Sequence, residues 1–221
     1  MSTIPVQIFS RQDRALVDAV LHTELVPTVL VQAEKEWGPI RLEAAEKLYH
    51  EGRDGEIPQH YHWDWGAKSR KLQFLAYRCL GIECAGKWQG LLMGQLSGQV
   101  ARLDPDKGKD LVFIDYLESA PWNLHTIVDT PLYGGIGTLL MRAAVQLSYD
   151  EGFHGRIGLY ALPQAEDFYR DDFGMHGCGP DGSNQDLPYY EMTREVAASF
   201  TSDLPAISQV SLTSNFKGGP V

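Results

Sequence analysis

The sequence predicts an α/β (α+β) fold, a mixed and mostly antiparallel central sheet flanked by helices. Three observations carry that prediction. Two short apolar runs, 80–85 and 88–96, are separated by Gly86-Lys87, a two-residue link of the kind that closes a hairpin. Residues 111–117 (Leu-Val-Phe-Ile-Asp-Tyr-Leu) are dense in β-branched and aromatic side chains, as a central strand is. From Gly135 onward, Ile136, Leu139, Leu140, Ala143, Ala144 and Leu147 recur at helical spacing, and an apolar run at 157–162 follows. Strand, helix, strand after a hairpin implies a sheet with one right-handed crossover.

The remaining elements follow in order. Residues 1–79 read as a helical N-terminal region packed on the core. Ser10-Arg11-Gln12-Asp13 opens a stretch in which Leu16, Val17, Val20 and Leu21 have helical spacing, and Leu42, Ala45 and Leu48 recur at three. A polar break containing Pro58 covers 52–59, and residues 67–79 suit another helix. The core, 80–198, holds the hairpin, the strand and an irregular connection over 122–133. The striped helix comes next, stopped at Gly152, then the 157–162 strand. A short helix over 164–171 and closing strands over 173–178 and 189–193 complete it. From 199 onward the chain is rich in Ser, Gly and Pro, which predicts a mobile tail.

Composition excludes several function classes. The 221 residues carry 19 Lys plus Arg against 29 Asp plus Glu, a net charge of −10. Nucleic-acid affinity comes mostly from basic groups on phosphates, so no nucleic-acid partner is expected. No window approaches ~18 consecutive apolar residues, so no membrane span is expected. The first ten residues lack the basic-then-apolar order of a signal peptide. Cys79, Cys84 and Cys178 are too few, and odd in number, for a disulfide framework. These observations predict a cytoplasmic chain.

Glycines gather at Leu132-Tyr133-Gly134-Gly135-Ile136-Gly137-Thr138, leading into the striped helix. Such a loop lets a ligand approach the backbone and aims free N–H groups at it, and the helix dipole favours an anion there. Leu140 stands where a dinucleotide fingerprint needs its third glycine. A Walker loop is absent too, because Gly108-Lys109 is followed by Asp110. The plain alternative is a glycine-rich turn that only starts a helix.

Three segments in order resemble the GNAT superfamily of N-acetyltransferases over about residues 80–195. They are Ile114-Asp115-Tyr116-Leu117-Glu118-Ser119-Ala120-Pro121, then Leu132-Tyr133-Gly134-Gly135-Ile136-Gly137, then Ala165-Glu166-Asp167-Phe168-Tyr169 followed by Phe173-Gly174-Met175. The second is similar to the family's Gln/Arg-x-x-Gly-x-Gly/Ala loop, with Leu132 in place of the Gln or Arg. The third is similar to its Ala-x-x-Phe-Tyr and Gly-Phe motif. The connection from Pro121 to Gly135 is longer than the family's usual one.

The resemblance implies an acetyltransferase-like sheet with a splayed central strand pair, and acetyl-CoA as cosubstrate with no metal. It implies cofactor contacts from Leu117, Ser119, Leu132, Tyr133, Gly134, Gly135, Ile136, Gly137 and Thr138. A strand amide near Ser119 would polarise the thioester carbonyl. Tyr169 would be the general acid for the leaving thiolate. Glu118 is the preferred base, with Asp115 or a water as alternatives, and Glu118 could instead be a strand-end charge facing solvent. In a regular strand Asp115 and Glu118 face opposite sides, and a bulge near Ser119 would change that. The acceptor would be a small-molecule or protein amine, used by a monomer or homodimer. A non-catalytic acyl-CoA-binding or interaction domain on the same fold is the competing reading.

Other constellations carry more than one reading. His60-Tyr61-His62-Trp63-Asp64-Trp65 places two histidines at i and i+2, which suits a shared metal, an aromatic wall of the acceptor pocket or plain packing. Cys79 and Cys84 suit buried thiols. Glu166, Asp167, Asp171, Asp172, Asp181 and Asp186, against Arg170 alone, make 164–186 acidic. That is either a solvated face or an attraction for a cationic amine. Acceptor choice is expected to lie in the N-terminal region and the 122–133 connection.

Overall fold

A computed structural model describes residues 2–202, apart from Ser183 and Gln185. The chain begins with strands β1 (Thr3–Ser10) and β2 (Ala15–His22). Helix α1 (Pro27–His50) and the short α2 (Trp65–Lys68) follow, the latter running into a 3-10 turn, Ser69–Gln73. Next come β3 (Tyr77–Cys84), β4 (Lys87–Gln95), β5 (Val112–Ser119) and the two-residue β6 (Tyr133–Gly134). Helix α3 (Ile136–Asp150), β7 (Ile157–Tyr160), β8 (His176–Pro180), β9 (Pro188–Met192) and α4 (Arg194–Ser202) complete the described residues. Among those residues the strands form one sheet, ordered β6-β1-β2-β3-β4-β5-β7-β9-β8. Neighbours are antiparallel except β5 and β7, which α3 joins as a parallel crossover.

The sheet separates two apolar layers. On one face Leu80, Ile82, Leu92, Ile114 and Leu117 pack with the apolar stripe of α3. On the other, Cys79, Leu91 and Met93 pack with Leu30, Ala33 and Trp37 of α1 and with Trp65. Adjacent residues of β4 enter opposite layers, as the two-residue period of a strand requires. Cys79 and Cys84 are buried thiols and Cys178 is exposed.

The N-terminus corrects the helical reading of residues 1–79. Residues 3–22 form a β-hairpin that extends the core sheet, because Val6, Ile8, Ala19 and Leu21 are buried at alternate positions. Leu16, Val17, Val20 and Leu21 fit a helix by spacing alone, and pairing of β2 with β3 decides for the strand. In α1 the buried stripe is Leu30, Ala33, Trp37, Arg41, Ala45 and Leu48, so Leu42 points outward and Arg41 inward. The helix expected over 67–79 is broken up, with β3 starting at Tyr77. The β3–β4 turn is Ala85-Gly86, both at positive φ, one residue before the predicted pair. A 3-10 turn at Pro163–Ala165 and a π-helical turn at Phe168–Asp172 replace the short helix over 164–171. The predicted tail begins inside α4, and its residues 203–221 lie outside the described part. No helix among the described residues is long and apolar enough to cross a membrane.

Candidate active site

The site begins where two central strands part. β5 and β7 are paired only through Val112–Ile157, Phe113–Gly158 and Ile114–Leu159. Beyond Ile114, β5 runs on along β4 to Ser119, while β7 stays with β9. The far half of β5 therefore has a strand neighbour on one edge and a cavity on the other.

A bulge decides which backbone groups face that cavity. Met93 pairs with Tyr116 and Gly94 with Ile114, so Asp115 is the extra residue on β5. Before the bulge, Val112 N–H donates to Arg156 O, on the β7 edge. After the strand, Ala120 N–H donates to Gln89 O, on the β4 edge. Backbone groups alternate edges along a strand, so those of Leu117 and Ser119 point to the splayed edge. The bulge lies at Asp115 rather than near Ser119, and it puts Asp115 and Glu118 on the same face. Asp115 pairs with Lys71 at 2.6 Å, and Glu118 pairs with Arg41 of α1 at 2.8 Å.

The glycine loop closes one end of the cavity. Tyr133 and Gly134 pair with Ser10 and Phe9 at the sheet edge, and Tyr133 N–H donates to Asn123 Oδ1. Gly135 caps α3 with φ 81°, a left-handed conformation that a side chain would strain. The first turn of α3 has no side-chain cap, so the N–H groups of Ile136, Gly137 and Thr138 remain free for a ligand. A Cβ on Gly137 would lie 3.2 Å from Phe168 Cζ, so glycine lets the motif aromatic sit against the first turn.

A cavity of about 830 Å³ joins these parts. Leu117, Ser119, residues 133–138 and Tyr169 all line it. Tyr169 sits in the π-helical turn, and burial pushes its phenol pKa upward, which keeps the hydroxyl protonated. Glu118 and Leu132 do not line the cavity. Leu132 turns its side chain to solvent, 44% exposed, while its carbonyl accepts from Arg11 N–H at 2.9 Å. Arg11, from the β1–β2 turn, lines the cavity beside the glycine loop and has a buried, unpartnered Nε. Sequence reasoning missed Arg11, because only the β1–β6 pairing brings it next to the loop.

Residues 55–68 and 123–126 build further stretches of the wall, the second beside the glycine loop through Asn123. His60, His62, Trp63 and Lys68 line the first, with Tyr116 of β5. Trp63 meets Tyr116 edge-on at 5.1 Å, and Lys68 Nζ lies 4.3 Å from the Tyr116 ring centroid. Burial pulls the Lys68 ammonium down to about 8. Behind this wall Glu118 is fully enclosed. Its carboxylate accepts from Arg41 Nη1 at 2.8 Å and Trp65 Nε1 at 2.6 Å. Burial pushes its pKa up to about 7, against the pull of Arg41. Arg41 also holds Glu34 at 2.8 Å and donates to Trp63 O, which ties α1 to the cavity wall. Among the described residues no cluster of three His, Cys, Asp or Glu is placed to hold a metal. Of the acids in 164–186, Asp172 lines the cavity. Others have partners of their own: Glu166 accepts from the buried Tyr190, Asp167 and Asp171 pair with Arg170, and Asp181 pairs with Arg102.

No protein-family model matches the chain, and no curated protein matches it by sequence. Solved structures match by shape. The GNAT domain of S. lividans PAT aligns at TM-score 0.51 and 12% identity, over 85% of this chain and 96% of that one. Aminoglycoside acetyltransferase AAC(6')-Ib with coenzyme A and kanamycin aligns at TM-score 0.50 and 17% identity, over 82% and 98%. The same enzyme crystallised with acetyl-CoA aligns at TM-score 0.51, over 84% and 99%. With the parted β5–β7 pair and the glycine loop at the start of α3, these matches give the architecture its name: the chain has the GNAT acetyltransferase fold.

Proposed function

We propose that the chain is an acetyl-CoA-dependent N-acetyltransferase that passes the acetyl group directly to a small-molecule amine. The observation that carries this reading is the shared cavity, where the splayed edge of β5, the uncapped amides of α3 and Tyr169 meet. The first-turn amides and the dipole of α3 suit the pyrophosphate. Arg11 supplies the positive charge that the family's Gln/Arg position, here Leu132, does not bring to the cavity. The backbone of Leu117 and Ser119 suits the pantetheine arm, and the Ser119 amide faces the edge where the thioester carbonyl would be polarised. The amine attacks that carbonyl, the tetrahedral intermediate collapses, and Tyr169 protonates the departing thiolate. AAC(6')-Ib holds kanamycin together with coenzyme A, which supports a small amine as acceptor. The stretch of cavity wall built by residues 55–68 is where acceptor choice would reside.

The test is thiol release from acetyl-CoA against a panel of amines. Turnover with at least one amine is expected. Coenzyme A binding without turnover on any amine would mark a non-catalytic binding domain, and absence of binding would refute both readings.

A further inference from the structure

The wall built by residues 55–68 hides a proton site. Glu118 is sealed from the cavity, yet the His60 ring lines the cavity and its Nε2 lies 3.8 Å from Glu118 Oε1. That nitrogen is buried with no hydrogen-bond partner among the described residues, and the hidden carboxylate lies within ion-pair range of it. Catalytic contacts of this length commonly tighten to a hydrogen bond once substrate is bound. Trp65 and Arg41 fix the Glu118 carboxylate from behind, and Trp63 packs against the His60 ring at 5.5 Å. The ring, 16% exposed, thus lines the cavity while its Nε2 edge lies toward a fixed acceptor.

We propose that His60 is the catalytic base for the acceptor amine and hands the proton to Glu118 behind it, an assignment that rests on the acetyltransferase reading above. The acceptor ammonium gives a proton to the cavity-side nitrogen of His60 as the Nε2 proton moves to the Glu118 carboxylate. The imidazole stays neutral and changes tautomer, and Glu118 becomes a neutral acid. The freed amine attacks the thioester, and its second proton leaves by way of Tyr169 to the thiolate. Glu118 then returns its proton to solvent through His60. Charges around the pair favour this order. Arg41 and Glu34 of α1 face Glu118, while Arg41, His62 and Lys68 oppose charge on His60. Burial, with those cations, holds His60 down to about 4, whereas burial lifts Glu118 to about 7. The working form, neutral His60 beside ionised Glu118, is therefore populated above about pH 7.

The experiment combines ring-labelled histidine NMR with turnover. In the unaltered chain the His60 signals should step near pH 7 as Glu118 titrates, and Glu118→Gln should abolish the step. His60→Ala should lower kcat by about 10²- to 10⁴-fold with coenzyme A affinity unchanged, and added imidazole should restore part of the loss. His60→Gln, which keeps ring-sized bulk, should be as slow without rescue. A His60 signal that ignores the Glu118 titration, or His60→Ala with unchanged turnover, would overturn the assignment. If Glu118→Gln fails to fold, the step in the unaltered chain still decides. An unaltered chain that binds coenzyme A yet acetylates no amine would refute the enzymatic reading and the base role with it. Turnover with no imidazole rescue and no titration step would refute the base role alone.

Discussion

Replacing Arg41 with methionine tests the buried charge network behind the cavity. Its side chain is 1% exposed and that of its partner Glu118 is 0% exposed, with 2.8 Å between them. Methionine fills similar volume and removes the cation. Breaking a buried pair by deleting one partner costs about 3–5 kcal/mol, because the remaining charge stays desolvated. A domain of this kind is stable by about 5–15 kcal/mol, so the loss is easily measured. The cost depends on pH. Glu118 in the folded chain sits near 7, raised from 4.5, so the native state binds more protons than the unfolded state between those values. Its contribution to stability therefore falls as pH rises through that window. Removing Arg41 raises Glu118 further and extends the fall to more alkaline pH. Urea denaturation at pH 5 and pH 8 reads the difference. Arg41→Met should be less destabilising at pH 5, where Glu118 is neutral, than at pH 8, by up to about 1.4 kcal/mol, and Glu118→Gln added to it should recover that pH-dependent part at pH 8. Equal destabilisation at both pH values would refute the argument.

Other predictions concern the cofactor side. Tyr169→Phe should lower kcat by about 10²-fold or more with coenzyme A affinity unchanged, because only the proton donor is removed; an unchanged rate would take Tyr169 out of that role. Arg11→Ala should weaken coenzyme A binding by about tenfold or more, the loss expected for a charge-assisted contact, and should reduce its salt dependence. Calorimetry at two salt concentrations checks this. Gly137→Val pushes branched carbon into Phe168, which lies 3.2 Å from the first added atom. It should cost about 1–3 kcal/mol in urea denaturation and raise the KM for acetyl-CoA.

The cavity's motif residues are legible because each depends on local chemistry. A glycine at a helix start, a β-branched strand and a Phe-Tyr pair announce themselves over a few residues. Residues 3–22 read as helix because Leu16, Val17, Val20 and Leu21 satisfy a helical spacing, whereas pairing with β1 and with the distant β3 selects the strand. Arg41 was invisible for a related reason: a charged residue beside Leu42 reads as the solvent side of a helix until Glu118 is seen opposite. The register of Asp115 and Glu118 turned on a bulge whose position no local residue signals. His60 and His62 stand out in the sequence, but that both line the cavity and that His60 has Glu118 behind it is set by the fold of residues 55–68. Arg11 and the glycine loop come together only through the two-residue pairing of β6 with β1.

The most direct measurement is calorimetric titration of coenzyme A into the folded chain, paired with Gly135→Val. The account predicts one site per chain for the unaltered protein, and strongly weakened binding in a variant that still folds, since Gly135 holds φ 81° at the mouth of the cavity. A folded, unaltered chain that takes up no coenzyme A would contradict the account at its centre.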